Sequence, residues 1–262
     1  MASDRHIPRS LTALGSAELP AELVVDGRRF ALRRVFKNDF FATTSMYESD
    51  AGRVLFKVHR VAPFLGLPLG WLGRSLANRE VAAFERLADV EGVPRLISRH
   101  GRTGLIREFI EGHAMQKGER VPDGFHARLR SLVDEIHTRG MAYVDLEKCE
   151  NVLVGDDGHP HLFDFQIAWC WSARRGGELW PLRSIRGWLQ AGDRYHLRKL
   201  QRRTRPDQLS HEEIAASYRK PWYVRTYDGL TRPFTWCRRR VLDRLGIARG
   251  PGERGRVTRE RA

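Results

Sequence analysis

Two short stretches of this chain hold residues whose types and spacing suit joint chemistry. The first runs Tyr143-Val144-Asp145-Leu146-Glu147-Lys148-Cys149-Glu150-Asn151, and the second, thirteen residues after the asparagine, is Asp164-Phe165-Gln166. A carboxylate, a lysine, an amide oxygen and a second carboxylate make a set of hard oxygen donors with one cation. Such donors suit Mg²⁺, and such a set suits phosphoryl transfer, which needs positioning and charge neutralisation more than covalent help. Upstream, Val54-Leu55-Phe56-Lys57-Val58 places a lysine in a strand-like run, and Asn78-Arg79-Glu80-Val81 places a carboxylate in a helical one. Taken singly, each has an ordinary reading: polar residues capping turns, a solvated strand lysine, an exposed helix carboxylate. Their order and spacing favour the chemical reading.

The elements that must hold these residues can be read from periodicity and turn signals. Arg29 to Val35, Ala42 to Glu48 and Val54 to Val58 predict strands, the last two joined through Ser49-Asp50-Ala51-Gly52. Val61 to Gly73 is apolar but broken by Pro63, Pro68 and glycines, so either an ordered insertion or a membrane-touching loop is expected. Ser75 is the expected cap of a helix running to about Asp89, with Leu76, Val81, Phe84 and Leu87 on its apolar face. Leu96 to Ser98 and Leu105 to Ile110 complete five strands and one helix before Gly112. Asp123 is the expected cap of a second helix that ends near Gly140.

Between the two chemical stretches, Val152 to Val154 and His161 to Phe163 read as a hairpin around Gly155-Asp156-Asp157-Gly158. Because antiparallel strands return the chain, Asn151 and Asp164 at their outer ends are brought side by side. Beyond Glu178 the pattern predicts several arginine-rich helices to Leu245, and then a disordered tail.

Together the motifs resemble the protein-kinase-like superfamily, whose pattern is HRDxxxxN followed by DFG. The resemblance runs from about Arg29 to Asp164. It implies a two-lobed α+β fold: an antiparallel five-stranded N-lobe with one main helix, and a reduced, mainly helical C-lobe. It divides the chain into an N-terminal extension (1–24), N-lobe and hinge (25–112), C-lobe (113–247) and basic tail (248–262). It also implies roles: Asp145 as the base for an acceptor hydroxyl, Lys148 stabilising the transferred phosphoryl, Asn151 and Asp164 as ligands of Mg²⁺. Lys57 would contact the phosphates of ATP and pair with Glu80, with Glu85 as the alternative partner. Arg107-Glu108-Phe109-Ile110-Glu111-Gly112 resembles the interlobe hinge, so backbone groups of Glu108, Phe109 and Ile110 would bind adenine.

Within that superfamily the chain is similar to the bacterial lipopolysaccharide kinases that phosphorylate Kdo and heptose. Tyr143-Val144 stands for the His-Arg pair, no Ala-Pro-Glu follows Asp164, and Asp193-Arg194-Tyr195-His196-Leu197-Arg198-Lys199-Leu200-Gln201-Arg202-Arg203 is similar to a basic helix of that group. The implied acceptor is a hydroxyl of a lipopolysaccharide core sugar or related glycolipid. Two alternatives stay open: a Ser/Thr protein kinase, and an inactive kinase-fold scaffold on membrane or nucleic acid.

Three departures from the pattern bear on activity. Asp145 and Asn151 are six apart rather than five, which leaves the aim of Asp145 open. Lys37-Asn38-Asp39-Phe40-Phe41-Ala42-Thr43-Thr44, where a glycine-rich phosphate loop is expected, has no glycine. Gln166 replaces the last glycine of DFG.

Composition sets the outer limits. In 262 residues, 41% hydrophobic and 30% charged, there is ample material for a folded core. Three widely spaced cysteines, Cys149, Cys170 and Cys237, form neither a disulfide framework nor a zinc motif. No apolar run is long enough to span a bilayer, and Met1 to Leu19 lacks a secretion signal, so a cytoplasmic protein is expected. The net charge of +14 fits a polyanionic partner. An anionic membrane surface, met peripherally from the cytoplasmic side, is preferred to nucleic acid. Trp236 to Leu245 is either an amphipathic helix on the C-lobe or a membrane-facing one. Nothing in the sequence fixes the oligomeric state.

Overall fold

The computed structural model describes residues 11–64, 66–171 and 180–219, together with the separate positions 221, 222, 229, 236 and 240. Expectations for the extreme N-terminus, for the tail beyond 247, for Cys237 and for most of Trp236 to Leu245 fall outside these residues.

Six strands form one antiparallel sheet: β1 (Glu22–Val25), β2 (Arg28–Asn38), β3 (Ala42–Ser49), β4 (Gly52–His59), β5 (Leu96–His100) and β6 (Gly104–Glu108), in the order β1-β2-β3-β4-β6-β5. Five strands were expected; the sixth is the edge strand β1. It is short, but Leu23 and Val25 alternate inward and Asp26-Gly27 turns the chain with positive φ at both residues, the Asp-Gly hairpin signal. One face of the sheet buries Phe30, Tyr47, Phe56 and Ile106. Tyr47 also donates its hydroxyl to the Pro20 carbonyl at 2.6 Å, pinning the approach to β1.

Helix α1 (Gly70–Arg86) covers the other face. It begins a turn and a half earlier than the expected Ser75, and Leu69, without any side-chain cap bond, occupies the capping position. The glycines that read as breakers are used for contact. A Cβ on Gly73 would stand 1.9 Å from the Arg60 carbonyl oxygen, so only glycine lets the helix lie this close to β4's continuation. The stretch before α1 is ordered by Arg60, which is fully buried. Its guanidinium sits 3.9 Å from the Phe40 ring centroid and donates to the carbonyls of Phe40 and Pro63. The helix ends at Arg86 rather than near Asp89, which lies just beyond it and pairs with Arg139.

Below the sheet, β7 (Gly112–Ala114) joins α2 (Phe125–Thr138), β8 (Met141–Ala142), the hairpin β9 (Val152–Gly155) and β10 (Pro160–Leu162), β11 (Trp169–Cys170), α3 (Trp180–Thr204) and α4 (His211–Tyr218). The cap of α2 is Gly124 in a left-handed conformation, not Asp123, whose carboxylate is held instead by Arg205 and Gln208. A single core runs from Val81 and Phe84 of α1 through Leu129 and Val133 of α2 to Val152, Leu162 and Leu197. Its apolar faces follow the helical spacing seen in the sequence. Trp171 is buried, whereas Trp169 is exposed under the Arg79 guanidinium.

The chain passes from sheet to helices at Gly112, whose φ is +147° and whose Cβ position lies 2.2 Å from the Val154 carbonyl oxygen. Gly112→Ala therefore meets both backbone strain and a backbone clash, and should cost about 2–3 kcal/mol in chemical denaturation. Gly187→Ala, a helical site with open space around its Cβ, should instead be neutral or mildly stabilising.

Candidate functional site

The site begins on β4. Strand alternation sends Lys57 to the face covered by α1, where its ammonium is buried and bonds Glu80 Oε1 at 2.9 Å and Asp164 Oδ1 at 3.0 Å. Glu80, not Glu85, is thus the helix partner. Its other oxygen, Oε2, lies 2.8 Å from Nε2 of His59, two residues along the same strand, so the carboxylate is clasped from both sides within a fully buried pocket. Burial alone would strip Lys57 of its proton. The Asp164 and Glu80 carboxylates outweigh that effect and hold its pKa above the usual lysine value.

Asp164 stands just beyond β10, at the outer end of the hairpin. Burial pushes its carboxyl up, but the charges of Lys57 and Lys37 and the hydrogen bond from Lys57 bring it down to about 2. The next residue, Phe165, is fully buried and packs edge-on against Phe84 of α1 and against Tyr143, at 5.2 Å in each case. Tyr143, standing where a histidine was expected, thereby completes an aromatic column that fixes where the Asp164 backbone lies.

At the same open end of the hairpin, just ahead of β9, Asn151 is buried on a single turn of 3₁₀ helix, Cys149–Asn151. Its Nδ2 donates to the Asp145 carbonyl at 3.0 Å, which leaves its amide oxygen free of that bond. The Asp145 side chain takes a 2.7 Å bond from Nζ of Lys148. The extra residue between Asp145 and Lys148 is accommodated in the loop before the 3₁₀ turn, so the lysine still reaches its carboxylate. Burial raises the Asp145 pKa above the usual carboxylate value; Lys148 opposes the rise and the nearby Asp164 adds to it.

Sequence reading missed the residue that shapes this loop. Asp193, on α3 and 1% exposed, accepts hydrogen bonds at 2.8 Å from the backbone N–H groups of both Tyr143 and Val144, and lies 2.9 Å from His137 Nε2. Val144 has φ +71°, a costly conformation for a β-branched residue. The twin bonds to Asp193 hold it there. A signal was present: Asp193, Leu197, Leu200 and Thr204 recur on one face of α3, and a carboxylate on an apolar stripe implies a buried partner.

The glycine-free loop between β2 and β3 is closed by Asp39, whose Oδ1 accepts from the N–H groups of Phe41 and Ala42. Lys37 bonds Asp39 at 2.9 Å and sits near enough to Asp164 to lower its pKa. A lysine therefore stands where backbone amides of a glycine-rich loop were expected. In the hinge, Glu108 uses its N–H and side chain on Arg95, and Phe109 stacks on Phe36 with ring centroids 6.1 Å apart. The structure gives Ile110 no side-chain contact that bears on the site.

The donor set fits Mg²⁺ in one particular way. Among the described residues no cluster of three His, Cys, Asp or Glu side chains exists, so a dedicated metal cage is absent from them. One carboxylate (Asp164) and one amide oxygen (Asn151) match the alternative, in which Mg²⁺ keeps waters and takes its remaining ligands from substrate phosphates.

No family model matches the chain, and no curated protein matches it. Solved structures do. Two crystal structures of the Rio2 kinase from Chaetomium thermophilum, one titled as its complex with ADP/Mg²⁺ and phosphoaspartate, superpose with TM-scores of 0.53 at 16% identity. They cover 73% of this chain, which spans about 60% of the length of those kinases. The fold is protein-kinase-like.

Two outcomes follow from these contacts. Asp193→Ala leaves two backbone donors and His137 unanswered in the interior and should cost about 3 kcal/mol of stability, read by chemical denaturation. Asp164 has a folded pKa of about 2 against an ordinary 3.8, so its contribution is complete above about pH 4 and fades as pH falls toward 2. The melting temperature of the wild type should accordingly fall more steeply over that window than that of Asp164→Asn.

Proposed function

We propose that this chain transfers the γ-phosphoryl group of a purine nucleoside triphosphate, ATP by analogy with the fold, to a hydroxyl acceptor. The observation that supports it best is the Lys57–Glu80–Asp164 cluster, with Asp145 close to Asp164. A buried carboxylate paired with a lysine is common as structure. Here the hairpin also returns that carboxylate to the end at which Asn151 stands, and Asn151 in turn bonds the Asp145 carbonyl, an arrangement that suits a metal-nucleotide substrate.

Asn151 and Asp164 would hold Mg²⁺, which supplies charge neutralisation on the transferred phosphate. Lys57, kept protonated by its two carboxylates, contacts the phosphates of the donor. Lys37 offers a cation in place of the missing glycine-loop amides. The main chain of Glu108, Phe109 and Ile110 lines the base side. Asp145 orients the acceptor hydroxyl and takes its proton as the oxygen attacks the γ-phosphorus; the bond from that phosphorus to the β,γ-bridging oxygen breaks and the nucleoside diphosphate leaves. Lys148, bonded to Asp145, is placed to follow charge onto the moving phosphoryl.

For the acceptor, a core sugar of lipopolysaccharide or a related glycolipid is the preferred reading. It rests on the motif likeness of the sequence and on the net charge of +14, which suits a phosphorylated saccharide at an anionic surface. Arginines cover α3 at Arg183, Arg194, Arg198 and Arg203, and Trp180 and Trp188 are exposed on the same helix. Among the described residues no helix is long and apolar enough to cross a membrane, so any contact with lipid would be peripheral. A protein hydroxyl is the second reading, favoured by the fold likeness to Rio2 kinase.

Asp145→Asn should lower turnover by about 10²–10⁴-fold with Mg-nucleotide binding largely kept, whereas Asp164→Asn should weaken both. Equal, mild losses in the two variants would show the roles to be misassigned. Because Asp145 must be ionised to act and its pKa is raised, the acid limb of the rate profile should lie above the ordinary carboxylate range. Radiolabelled nucleotide offered with purified lipopolysaccharide intermediates and with generic peptides separates the acceptors: label on peptide alone would overturn the sugar reading.

A further inference from the structure

The inner wall of the base side of the cleft carries a charge. In the register of β4 and β6, Leu105 lies opposite Lys57, so Arg107, two residues on, projects from the same face of the sheet. Arg107 is 5% exposed. Its guanidinium lies 5.3 Å from the ring centroid of Phe163, the residue before Asp164, and its Nη1 donates to the Glu108 carbonyl at 3.2 Å. Among the described residues its Nε–H has no acceptor. An aliphatic side chain would close this wall without burying a cation, and a buried donor with no acceptor points to a partner still to come.

A purine whose sugar carries phosphates toward Lys57 and Asp164, and which lies along the main chain of residues 108–110, turns an edge toward the junction of those two regions. Arg107 stands at that junction, since its Nη1 bonds the Glu108 carbonyl and its guanidinium lies against Phe163, the residue before Asp164. The inward edge of a purine bears N7 and the group at position 6. Guanine presents two acceptors there, O6 and N7, which match the guanidinium fork; adenine presents N7 beside an amino donor, which opposes it. The amino group would also turn to the hinge carbonyl of Glu108, and that oxygen already receives Arg107.

We propose that Arg107 makes this site select guanine, so that GTP rather than ATP is the favoured phosphoryl donor. The inference rests on the reading of the cleft as a nucleotide site and adds the identity of the base.

A competing role is charge balance alone, because Lys57 and Arg107 offset Glu80 and Asp164 in the same buried region. The test separates the two. Isothermal titration of the full chain with non-hydrolysable GTP and ATP analogues in Mg²⁺ should show guanine bound at least about tenfold more tightly. The ITP analogue, which keeps O6 and N7 but lacks the 2-amino group, should bind like GTP. Arg107→Met should reverse the preference toward adenine. Arg107→Lys, which keeps the charge and the fold but not the fork, should flatten it. Tighter binding of adenine by the wild type, or an unchanged ratio in Arg107→Lys, would overturn the guanine proposal while leaving the nucleotide site intact. Failure of the wild type to bind any of the three would remove the nucleotide reading, and this one with it.

Discussion

The structure depends on a single buried ammonium. Lys57 belongs to the sheet, Glu80 to the helix above it and Asp164 to the end of the hairpin below, 107 residues further along the chain than the lysine. A charge taken out of water is costly unless it is paired on every side, so the lysine can be buried only when all three elements are docked. The same economy requires Glu80 to have a second partner, which His59 supplies. The cluster thus acts as a registration device for the two halves of the molecule, and it leaves Asp164 ionised, with a pKa of about 2, at the position where a cationic ligand would be met.

A second buried carboxylate does comparable work with the opposite chemistry. Among the described residues Asp193 pairs with no lysine or arginine; it collects backbone donors and a histidine. By satisfying two consecutive N–H groups it holds Val144 in a backbone conformation that valine otherwise avoids. The strain is local and falls on the residue immediately before Asp145. Lys57 therefore holds Asp164 and Asp193 holds the backbone that precedes Asp145, each from an element distant in sequence.

The departures from the kinase pattern have physical counterparts. The extra residue after Asp145 is absorbed ahead of the 3₁₀ turn, leaving the Lys148–Asp145 bond and the Asn151–Asp145 bond in place. The loop without glycine is stiffened by Asp39, and its lysine, rather than its amides, projects positive charge toward Asp164. Tyr143 fills the place of a histidine with an aromatic ring that packs on Phe165. In each case the element keeps its place while the group providing the interaction changes, as expected where geometry is held by packing and function needs only charge and distance.

Local signals determined much of this protein. Strand alternation and turns placed β2 through β6, helical spacing placed α1 and α2, and the hairpin between Asn151 and Asp164 followed from its glycines and aspartates. The short-range order of Asp145, Lys148, Asn151 and Asp164 made a candidate site legible, because those residues are joined by a loop and one hairpin. Helix starts were misread at Ser75 and Asp123, since Gly73, read as a breaker, is used for close approach to the Arg60 backbone inside α1, and Arg205 takes the carboxylate of Asp123. The partners His59, Asp193, Lys37 and Arg107 emerged only in the folded chain. His59 takes its role from Glu80 and Lys37 its influence from Asp164, groups that only folding brings near, and no local pattern announces them; of the four, Asp193 alone left a trace, as a carboxylate on the apolar stripe of α3.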